Sequence, residues 1–180
     1  MNRRHVLAAL ASAAALGLVP RGARAEAPGF VFPSIDGGEI DSRDWRGRPA
    51  LVVNTASLCG FAPQLAAMQA LHETWGPKGL TVVATPSNDF DQELDDAKKV
   101  KEFCTIQYGI TLPMTDILHV KGPGAHPFYA WLRETTGFSP NWNFNKVLLD
   151  GSGRPAGAWR SSVEPGAAEI VAAFTPLLPA

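Results

Sequence analysis

The sequence predicts a single α/β domain in which helices flank a mixed central sheet. Two observations predict this fold class: short apolar runs that are typical of buried strands, and helical apolar stripes that follow them along the chain. The length of 180 residues suits one compact domain, and 46% hydrophobic with 18% charged residues excludes a disordered chain. With only 2 cysteines, the chain is not a disulfide-dense miniprotein.

The first half of the predicted domain holds an N-terminal β-hairpin, two strands and the helix between the strands. An Asp-Gly-Gly turn at the centre of residues 30–40 indicates the hairpin. Residues 51–54 and 80–84 are the apolar runs of the two strands. Between them, four apolar residues recur at the three- to four-residue spacing of a helix packed on a sheet: Leu65, Met68, Leu71 and Trp75.

The second half is predicted to hold further helices, one more strand and a closing hairpin and helix. In chain order, these are a helix over 95–107, a strand over 117–120, a helix over 127–134, a hairpin of strands 146–149 and 156–159, and a helix that starts at Pro165. The charged residues Glu93, Asp95 and Asp96 and the stretch 98–102 are interpreted as a solvated helix face. This order of elements makes a thioredoxin-like fold the simplest arrangement.

Residues 1–25 are predicted to be an export signal. An arginine pair opens the chain, a 14-residue apolar run follows, and Ala23-Arg24-Ala25 has the small-x-small pattern of a signal-peptidase site. The run is shorter than the roughly 20 residues that span a bilayer, so no stable membrane insertion is expected. We therefore expect cleavage after Ala25 and export of a domain over 26–180, periplasmic in a Gram-negative host. The general secretory and twin-arginine routes both stay open.

The predicted mature domain is mildly acidic. Residues 1–25 hold four arginines and no acidic residue, so 12 basic and 17 acidic residues remain, a net charge of −5. Such a domain has no electrostatic reason to bind nucleic acid or an anionic membrane. His72 and His119 lie too far from the cysteines in sequence to suggest a metal site, and no phosphate-binding glycine loop is present. We expect neither a metal nor a cofactor.

Cys59 is the candidate nucleophile. It lies where the strand at 51–54 turns into the following helix, so free backbone N–H groups and the positive end of the helix dipole favour its thiolate. Position alone leaves both a reactive thiol and a buried, inert thiol open. Fast peroxide reduction also needs hydrogen-bond donors to the oxygen that leaves as the O–O bond breaks.

Several separated segments resemble the glutathione peroxidase family in order and spacing, and the resemblance covers residues 29–175. The segments are 53–64, 86–93, 108–114, 122–129 and 141–146. The resemblance implies a thioredoxin fold and a peroxidase. In such a peroxidase Cys59 is the peroxidatic thiol, and Gly60 is its neighbour in a tight turn.

The same resemblance implies that Trp142 directs its indole N–H at the sulfur or the peroxide oxygen, and that Asn143 completes the donor set. An indole N–H beside a side-chain amide is independently the chemistry needed where an oxygen gains negative charge. A core role is the structural alternative for Trp142. Both interpretations are open at the level of the sequence.

Asp89 departs from the family pattern, which has glutamine after the asparagine of the second motif. A carboxylate near a thiolate disfavours the ionised sulfur and donates no hydrogen bond unless it is protonated. We therefore expect slow turnover if Asp89 faces the site as a carboxylate. A protonated carboxyl and an outward-pointing side chain are the alternatives. Gln92 or Asn88 could then supply the missing amide.

Cys104 lies on the predicted helix over 95–107, close to where resolving cysteines of the family fall. Three roles are open: it resolves a Cys59 sulfenic acid, it is a buried hydrophobe, or it forms a permanent disulfide with Cys59. A resolving role makes a thioredoxin-like dithiol protein the expected reductant, with glutathione as the other candidate. The stretch 135–141 is longer in tetrameric family members, so the resemblance implies a monomer.

Two functions are consistent with these features. The first is an exported, cysteine-dependent peroxidase that reduces hydrogen peroxide or organic and lipid hydroperoxides as an antioxidant defence. The second is a thioredoxin-fold redox sensor or binding protein in which Asp89 and a displaced Cys104 have abolished turnover. Sites rather than folds carry function, so the fold alone does not separate the two.

Overall fold

The computed structural model describes residues 26–180, and the predicted export signal lies outside the described residues. Its strands and longer helices, in chain order, are β1 (Val31–Pro33), β2 (Glu39–Asp41), β3 (Ala50–Thr55), α1 (Gln64–Trp75), β4 (Thr81–Pro86), α2 (Ala97–Tyr108), α3 (Pro127–Thr136), β5 (Lys146–Leu149), β6 (Pro155–Trp159) and α4 (Ala168–Phe174). Within the described part of the chain, no helix is long and apolar enough to cross a membrane.

The central sheet has the strand order β4-β3-β5-β6. β3 pairs in parallel with β4 and antiparallel with β5, and β5 pairs antiparallel with β6, so the sheet is mixed. Every residue of β3 and of β5 is buried, as expected for strands covered by helices on both faces. β1 and β2 form a separate antiparallel hairpin. The predicted fold class, including the N-terminal hairpin, is confirmed.

The core lies in two apolar clusters, one on each face of the sheet. Because successive strand residues point to opposite faces, Leu51 and Val53 join one cluster while Ala50 and Val52 join the other. The first cluster is completed by residues of α1, α2 and α4, and the second by residues of α3. Both cysteines belong to the first cluster, which lies beneath the turn between β3 and α1.

The strand predicted over 117–120 is not formed. The N–H groups of this segment bond to separate partners rather than to one neighbouring strand: Leu118 donates to the carbonyl of Pro86, and Val120 donates to the carboxylate of Asp89. Of the apolar residues that suggested a strand, Leu118 and Val120 are buried and Ile117 is partly buried, but the backbone path that places them is irregular.

The last helix begins later than predicted. Pro165 lies in a turn in which the N–H of Ala167 donates to the carbonyl of Glu164 over 2.9 Å. Ala167 has φ −60° and ψ 144°, which are not helical, and α4 therefore starts at Ala168. Proline suits the first turn of a helix but also suits a tight turn, and the sequence does not distinguish these positions.

Candidate active site

Cys59 lies in the turn that joins the end of β3 to the start of α1. The turn is closed by a hydrogen bond of 2.9 Å from the N–H of Ala62 to the Cys59 carbonyl. The N–H of Phe61 donates to Cys59 Sγ over 3.5 Å. The Cys59 residue is only 5% exposed, so its sulfur presents little surface to a reactant.

Asn54, at the end of β3, anchors the segment that carries the tryptophan–asparagine pair. Its Nδ2 donates to the Trp142 carbonyl over 3.0 Å, and its Oδ1 accepts the N–H of Asn145 over 3.0 Å. Phe144 between them has φ 60°, the left-handed region that an aromatic residue rarely adopts. Backbone strain of this kind is typical of functional sites, and here it turns the segment towards the end of β3.

Trp142 lies at the surface rather than in the core. The residue is 41% exposed, and its ring packs against the ring of Phe90 with 5.4 Å between centroids. Leu58, next to Cys59 in the chain, is 61% exposed. Leu58 therefore exposes apolar surface beside the cysteine, and the core role considered for Trp142 is not what the structure shows.

Asn143 is fully buried beside Gln92. Its Nδ2 donates to Gln92 Oε1 over 3.1 Å, while its Oδ1 has no hydrogen-bond partner among the described residues. The backbone carbonyl of Gln92 accepts the N–H of Leu58 over 2.9 Å. Gln92 therefore contacts both the cysteine turn and Asn143, which places a side-chain amide next to the predicted donor set.

Asp89 is bonded to a different part of the molecule. Its carboxylate accepts hydrogen bonds from His119 Nδ1 (2.7 Å), from the Val120 N–H (2.6 Å) and from the Lys121 N–H (3.0 Å). Burial raises the pKa of Asp89, but these donors outweigh it and hold the pKa below its ordinary value. The carboxylate is therefore ionised and engaged with the 119–121 segment. Asn88, the other candidate amide, accepts the N–H of Glu93.

Glu93 is a buried carboxylate, and its assignment to a solvated helix face is wrong. It accepts the N–H groups of Ser57 and Leu94, both over 2.9 Å. Burial raises the pKa of Glu93, and the contacts with Ser57 and Leu94 oppose that rise. Its place directly after Gln92, in a segment that matches the family motif, was the only sequence signal of this role. Because Glu93 begins a run of charged residues, the sequence did not distinguish its buried carboxylate from the exposed ones that follow.

Cys104 lies on the buried face of α2, and it is only 2% exposed. Both cysteines of residues 26–180 carry free thiols, so the permanent disulfide considered from the sequence is not formed. Burial, with the negative charge of Glu93 added, raises the pKa of Cys104 to about 12, against the opposing effects of Ser57 and Lys101. The thiol is therefore protonated at neutral pH.

Lys146 is a buried amine that the sequence did not single out as functional. Its Nζ donates to Gln64 Oε1 and, over 3.3 Å, to the Ser161 carbonyl. Burial lowers the pKa of Lys146 to about 8, with Glu164 opposing the change. Since Gln64 is the first residue of α1, the amine ties the start of that helix to β5. The apolar neighbours of Lys146 in the chain were the available signal of its burial.

The fold and the buried thiol at its strand–helix turn define a thiol protein of the thioredoxin-like class. The family model for glutathione peroxidase matches residues 29–133. The chain is 37% identical over 164 residues to the hydroperoxy fatty acid reductase of Synechocystis, covering 83% of this chain and 94% of that protein. It is 35% identical to a glutathione peroxidase of Lactococcus lactis, covering 76% and 90% of the two chains.

Solved structures agree with these relatives. The crystal structure of Trgpx in its apo form matches with a TM-score of 0.61 at 30% identity, covering 83% of this chain and 96% of that one. A thiol:disulfide interchange protein of Chlorobium tepidum has the same fold, with a TM-score of 0.57 at 22% identity and coverage of 75% and 84%. The chain belongs to the glutathione peroxidase family. It is a peroxidase, an oxidoreductase that reduces hydroperoxides with electrons from thiols.

Proposed function

We propose that Cys59 is the peroxidatic residue. The observation that carries the proposal is the placement of Cys59 in the β3–α1 turn, with the Phe61 N–H on its sulfur and with Asn143 reached through Gln92. The Cys59 thiolate attacks the terminal oxygen of the hydroperoxide, so an S–O bond forms as the O–O bond breaks. The departing oxygen takes a proton and leaves as water or an alcohol, and the sulfur becomes a sulfenic acid.

In this proposal, Trp142 and Asn143 stabilise the departing oxygen. An indole N–H and a side-chain amide N–H are donors of the kind that lower the barrier where negative charge develops. Both residues sit on the segment that Asn54 fixes to the end of β3. Asp89 has no direct part in this step, since its carboxylate is occupied by three donors of residues 119–121.

Organic hydroperoxides with an apolar chain, as well as hydrogen peroxide, are the proposed substrates. Leu58, next to Cys59 in the chain, and Trp142, a member of the proposed donor set, expose apolar surface on which an alkyl chain could rest. The relative in Synechocystis is named a hydroperoxy fatty acid reductase, which supports this class of substrate. We expect the ratio of kcat to KM for an alkyl hydroperoxide to fall in Trp142→Ala more than that for hydrogen peroxide.

The sulfenic acid is proposed to be resolved by Cys104 after α2 opens. The Cys104 thiol attacks the Cys59 sulfur, an S–S bond forms, and the sulfenic oxygen leaves as water. A thioredoxin-like dithiol protein then reduces this disulfide and becomes oxidised itself. The alternative reductant is glutathione, which would attack the sulfenic acid directly. The membership of both cysteines in one core cluster supports the internal route.

We further propose that the protein is exported and acts as a monomer. The support for export is the signal pattern of residues 1–25, and the support for a monomer is the short stretch over 135–141. Export predicts a mature chain that begins at Glu26 in the periplasmic fraction. A mass that retains residues 1–25 would contradict cleavage. A sedimentation mass equal to two or more copies of the mature chain, residues 26–180, would contradict the monomer.

The test is the intact mass of reduced mature protein before and after one equivalent of hydroperoxide, beside Cys59→Ser and Cys104→Ser. Loss of two hydrogens in wild type, with an added oxygen in Cys104→Ser, supports the two-cysteine route. An added oxygen in wild type points to an external thiol as the resolving group. An unchanged mass in wild type would contradict catalysis at Cys59 and favour the sensor or binding protein.

A further inference from the structure

In the Asn143 amide, the donor is paired and the acceptor is left without a partner, which is the opposite of what the chemistry proposed at Cys59 requires. Its N–H donor, Nδ2, is used by Gln92 Oε1, while its acceptor Oδ1 is fully buried and has no donor among residues 26–180. An oxygen that gains negative charge as the O–O bond breaks needs a donor. A buried acceptor without a partner is also unfavourable in itself, so this atom calls for an explanation.

Rotation of two amides supplies the explanation. An amide that turns by half a revolution exchanges its oxygen and nitrogen with almost no change of shape. If the amides of Gln92 and Asn143 both turn, the hydrogen bond between them is kept with its direction reversed. Gln92 Nε2 then donates to Asn143 Oδ1, and Asn143 Nδ2 becomes free to donate elsewhere.

Gln92 is held where it can set this orientation. Its backbone carbonyl accepts the N–H of Leu58, the residue before Cys59, and its side chain reaches Asn143. Asp89 does not compete for Asn143, because its carboxylate is occupied by residues 119–121. Glutamine carries both a donor and an acceptor, so it pairs with either orientation of Asn143.

We propose that Gln92 is a positioning residue that selects which end of the Asn143 amide faces the reacting peroxide. When Gln92 Nε2 donates to Asn143 Oδ1, Asn143 Nδ2 donates to the departing oxygen and stabilises it. Negative charge on the departing oxygen favours this orientation over the other, because only this orientation presents a hydrogen-bond donor. The inference rests on the proposed roles of Cys59 and Asn143, and it assigns Gln92 an action through Asn143 rather than direct contact with substrate.

The variant Gln92→Glu separates the two orientations. An ionised carboxylate only accepts, so it holds Asn143 Nδ2 and leaves Oδ1 facing the site. We expect the second-order rate of Cys59 oxidation at pH 7 to fall by about hundredfold, the lower end of the effect of removing one donor to a developing oxyanion. A protonated carboxyl donates as glutamine does, so the ratio of variant to wild-type rate should rise again as the pH falls.

The pH comparison uses this ratio because other groups titrate in both proteins. The ionisable groups around position 92 are Asp89, Asp91 and Glu93 on the same segment, Cys59 on the turn whose Leu58 N–H bonds to Gln92, and Cys104, which is close to Glu93. The charge of the new carboxylate also acts on Cys59 directly, and this direct effect persists when Asn143 is absent, so the Asn143→Ala background separates it from an action through Asn143. Recovery at low pH is therefore assigned to the new carboxyl, a result that a merely structural role of Gln92 would not produce.

Two controls complete the test. Gln92→Met removes the partner without fixing Asn143, so its rate should fall less than that of Gln92→Glu and should not recover at low pH. In the Asn143→Ala variant, adding Gln92→Glu should change the rate of Cys59 oxidation little, because the Asn143 amide through which Gln92 acts is then absent. Circular dichroism and the Tm of each variant establish that it is folded.

Two results would overturn the inference. One is a Gln92→Glu rate equal to that of wild type at pH 7, and the other is a loss that stays constant as the pH falls. Failure of the proposed function looks different, because wild type itself then gains no oxygen on Cys59 and loses no hydrogens. Oxidation of wild type with full activity in Gln92→Glu removes only the role of Gln92.

Discussion

The side chain of Asp89 is held by hydrogen-bond donors of residues 119–121. Besides binding His119 and two backbone N–H groups, it holds the segment that carries Lys121. Lys121 Nζ lies 4.0 Å from the centre of the Phe90 ring, and Phe90 packs on Trp142. The carboxylate therefore supports the aromatic side chains at the edge of the site, and its negative charge is balanced there.

We predict that Asp89→Gln does not accelerate the oxidation of Cys59. If Asp89 faced the sulfur as a carboxylate, its replacement by an amide would relieve repulsion and raise the rate. The carboxylate instead bonds to His119, Val120 and Lys121, so its removal leaves the sulfur without a new donor. Stopped-flow oxidation of the reduced protein measures the rate. A clear acceleration would show that Asp89 does limit the chemistry.

Asp89 should also contribute to stability in a pH-dependent way. Its pKa is lowered in the folded state, so its contribution is complete above the unfolded pKa of about 3.9 and is lost as the pH falls through the folded value. We expect Asp89→Asn to lower the free energy of unfolding by about 1 kcal/mol at pH 7, because one carboxylate binds three donors. Urea unfolding at pH 7 and pH 3 measures the difference, which should shrink at pH 3.

Asp95→Asn is the matched control for this experiment. Asp95 pairs with Lys99 over 3.0 Å, but both side chains are largely exposed, and such pairs contribute little. An equal loss of stability in Asp95→Asn and Asp89→Asn would show that the contacts with residues 119–121 carry no particular weight.

At the scale of elements, the proposed resolving role of Cys104 depends on α2, the helix that carries it. The thiol faces the core from the buried side of the helix, beside the negative charge of Glu93. Attack on Cys59 needs a thiolate and a close approach of the two sulfurs, and burial opposes the first. If Cys104 resolves the sulfenic acid as proposed, local opening of α2 would expose the thiol to water and free it to move, and the stability of this helix would then control the rate of resolution.

Thr105→Gly should therefore speed disulfide formation relative to Thr105→Ala. Thr105 is exposed in the C-terminal half of α2, next to Cys104, and glycine destabilises a helix by about 1 kcal/mol relative to alanine. This difference raises the open population about fivefold, and the rate should rise by the same factor. Quenched-flow trapping of free thiols after one equivalent of peroxide measures it. Equal rates in the two variants would show that α2 opening does not limit resolution.

The regular elements were predictable because local periodicity sets them. The apolar stripe of Leu65 to Trp75 and the apolar runs of β3 and β4 gave the helices and strands close to their observed bounds. The site was only partly predictable. Gln92 and Asp89 are separated by three positions, and the contact partner of each, Asn143 or residues 119–121, lies at least 30 residues away. No local pattern records which of them turns towards the cysteine.

At the scale of the whole molecule, a buried polar network joins the sheet to the helix that follows the cysteine turn. Asn145 Nδ2 donates to Ser161 Oγ over 3.0 Å, and the Ser161 carbonyl accepts Gln64 Nε2 over 2.7 Å. Lys146 donates to the same carbonyl and to Gln64. The network connects β5, α1 and the segment after β6. It satisfies buried polar groups that would otherwise be costly, and it fixes the start of α1.

Lys146, the charged member of this network, should make the free energy of unfolding depend on pH in the alkaline range. Lys146 has its pKa lowered from 10.5 to about 8, so between these values the unfolded chain binds more protons than the folded one and stability rises with pH. Cys104 and Tyr129 act in the opposite sense, because burial raises their pKa values. Comparison with a variant that lacks only the amine isolates the contribution of Lys146.

We predict that the unfolding free energy of wild type minus that of Lys146→Met increases by up to about 3 kcal/mol from pH 8 to pH 10.5. Methionine has a similar length and no charge, so it preserves packing while Cys104 and Tyr129 titrate alike in both proteins. Urea unfolding at four pH values measures the difference. Lys99→Met, at an exposed position, should show no such increase. A constant difference for Lys146→Met would mean that the amine remains charged in the folded protein throughout this range.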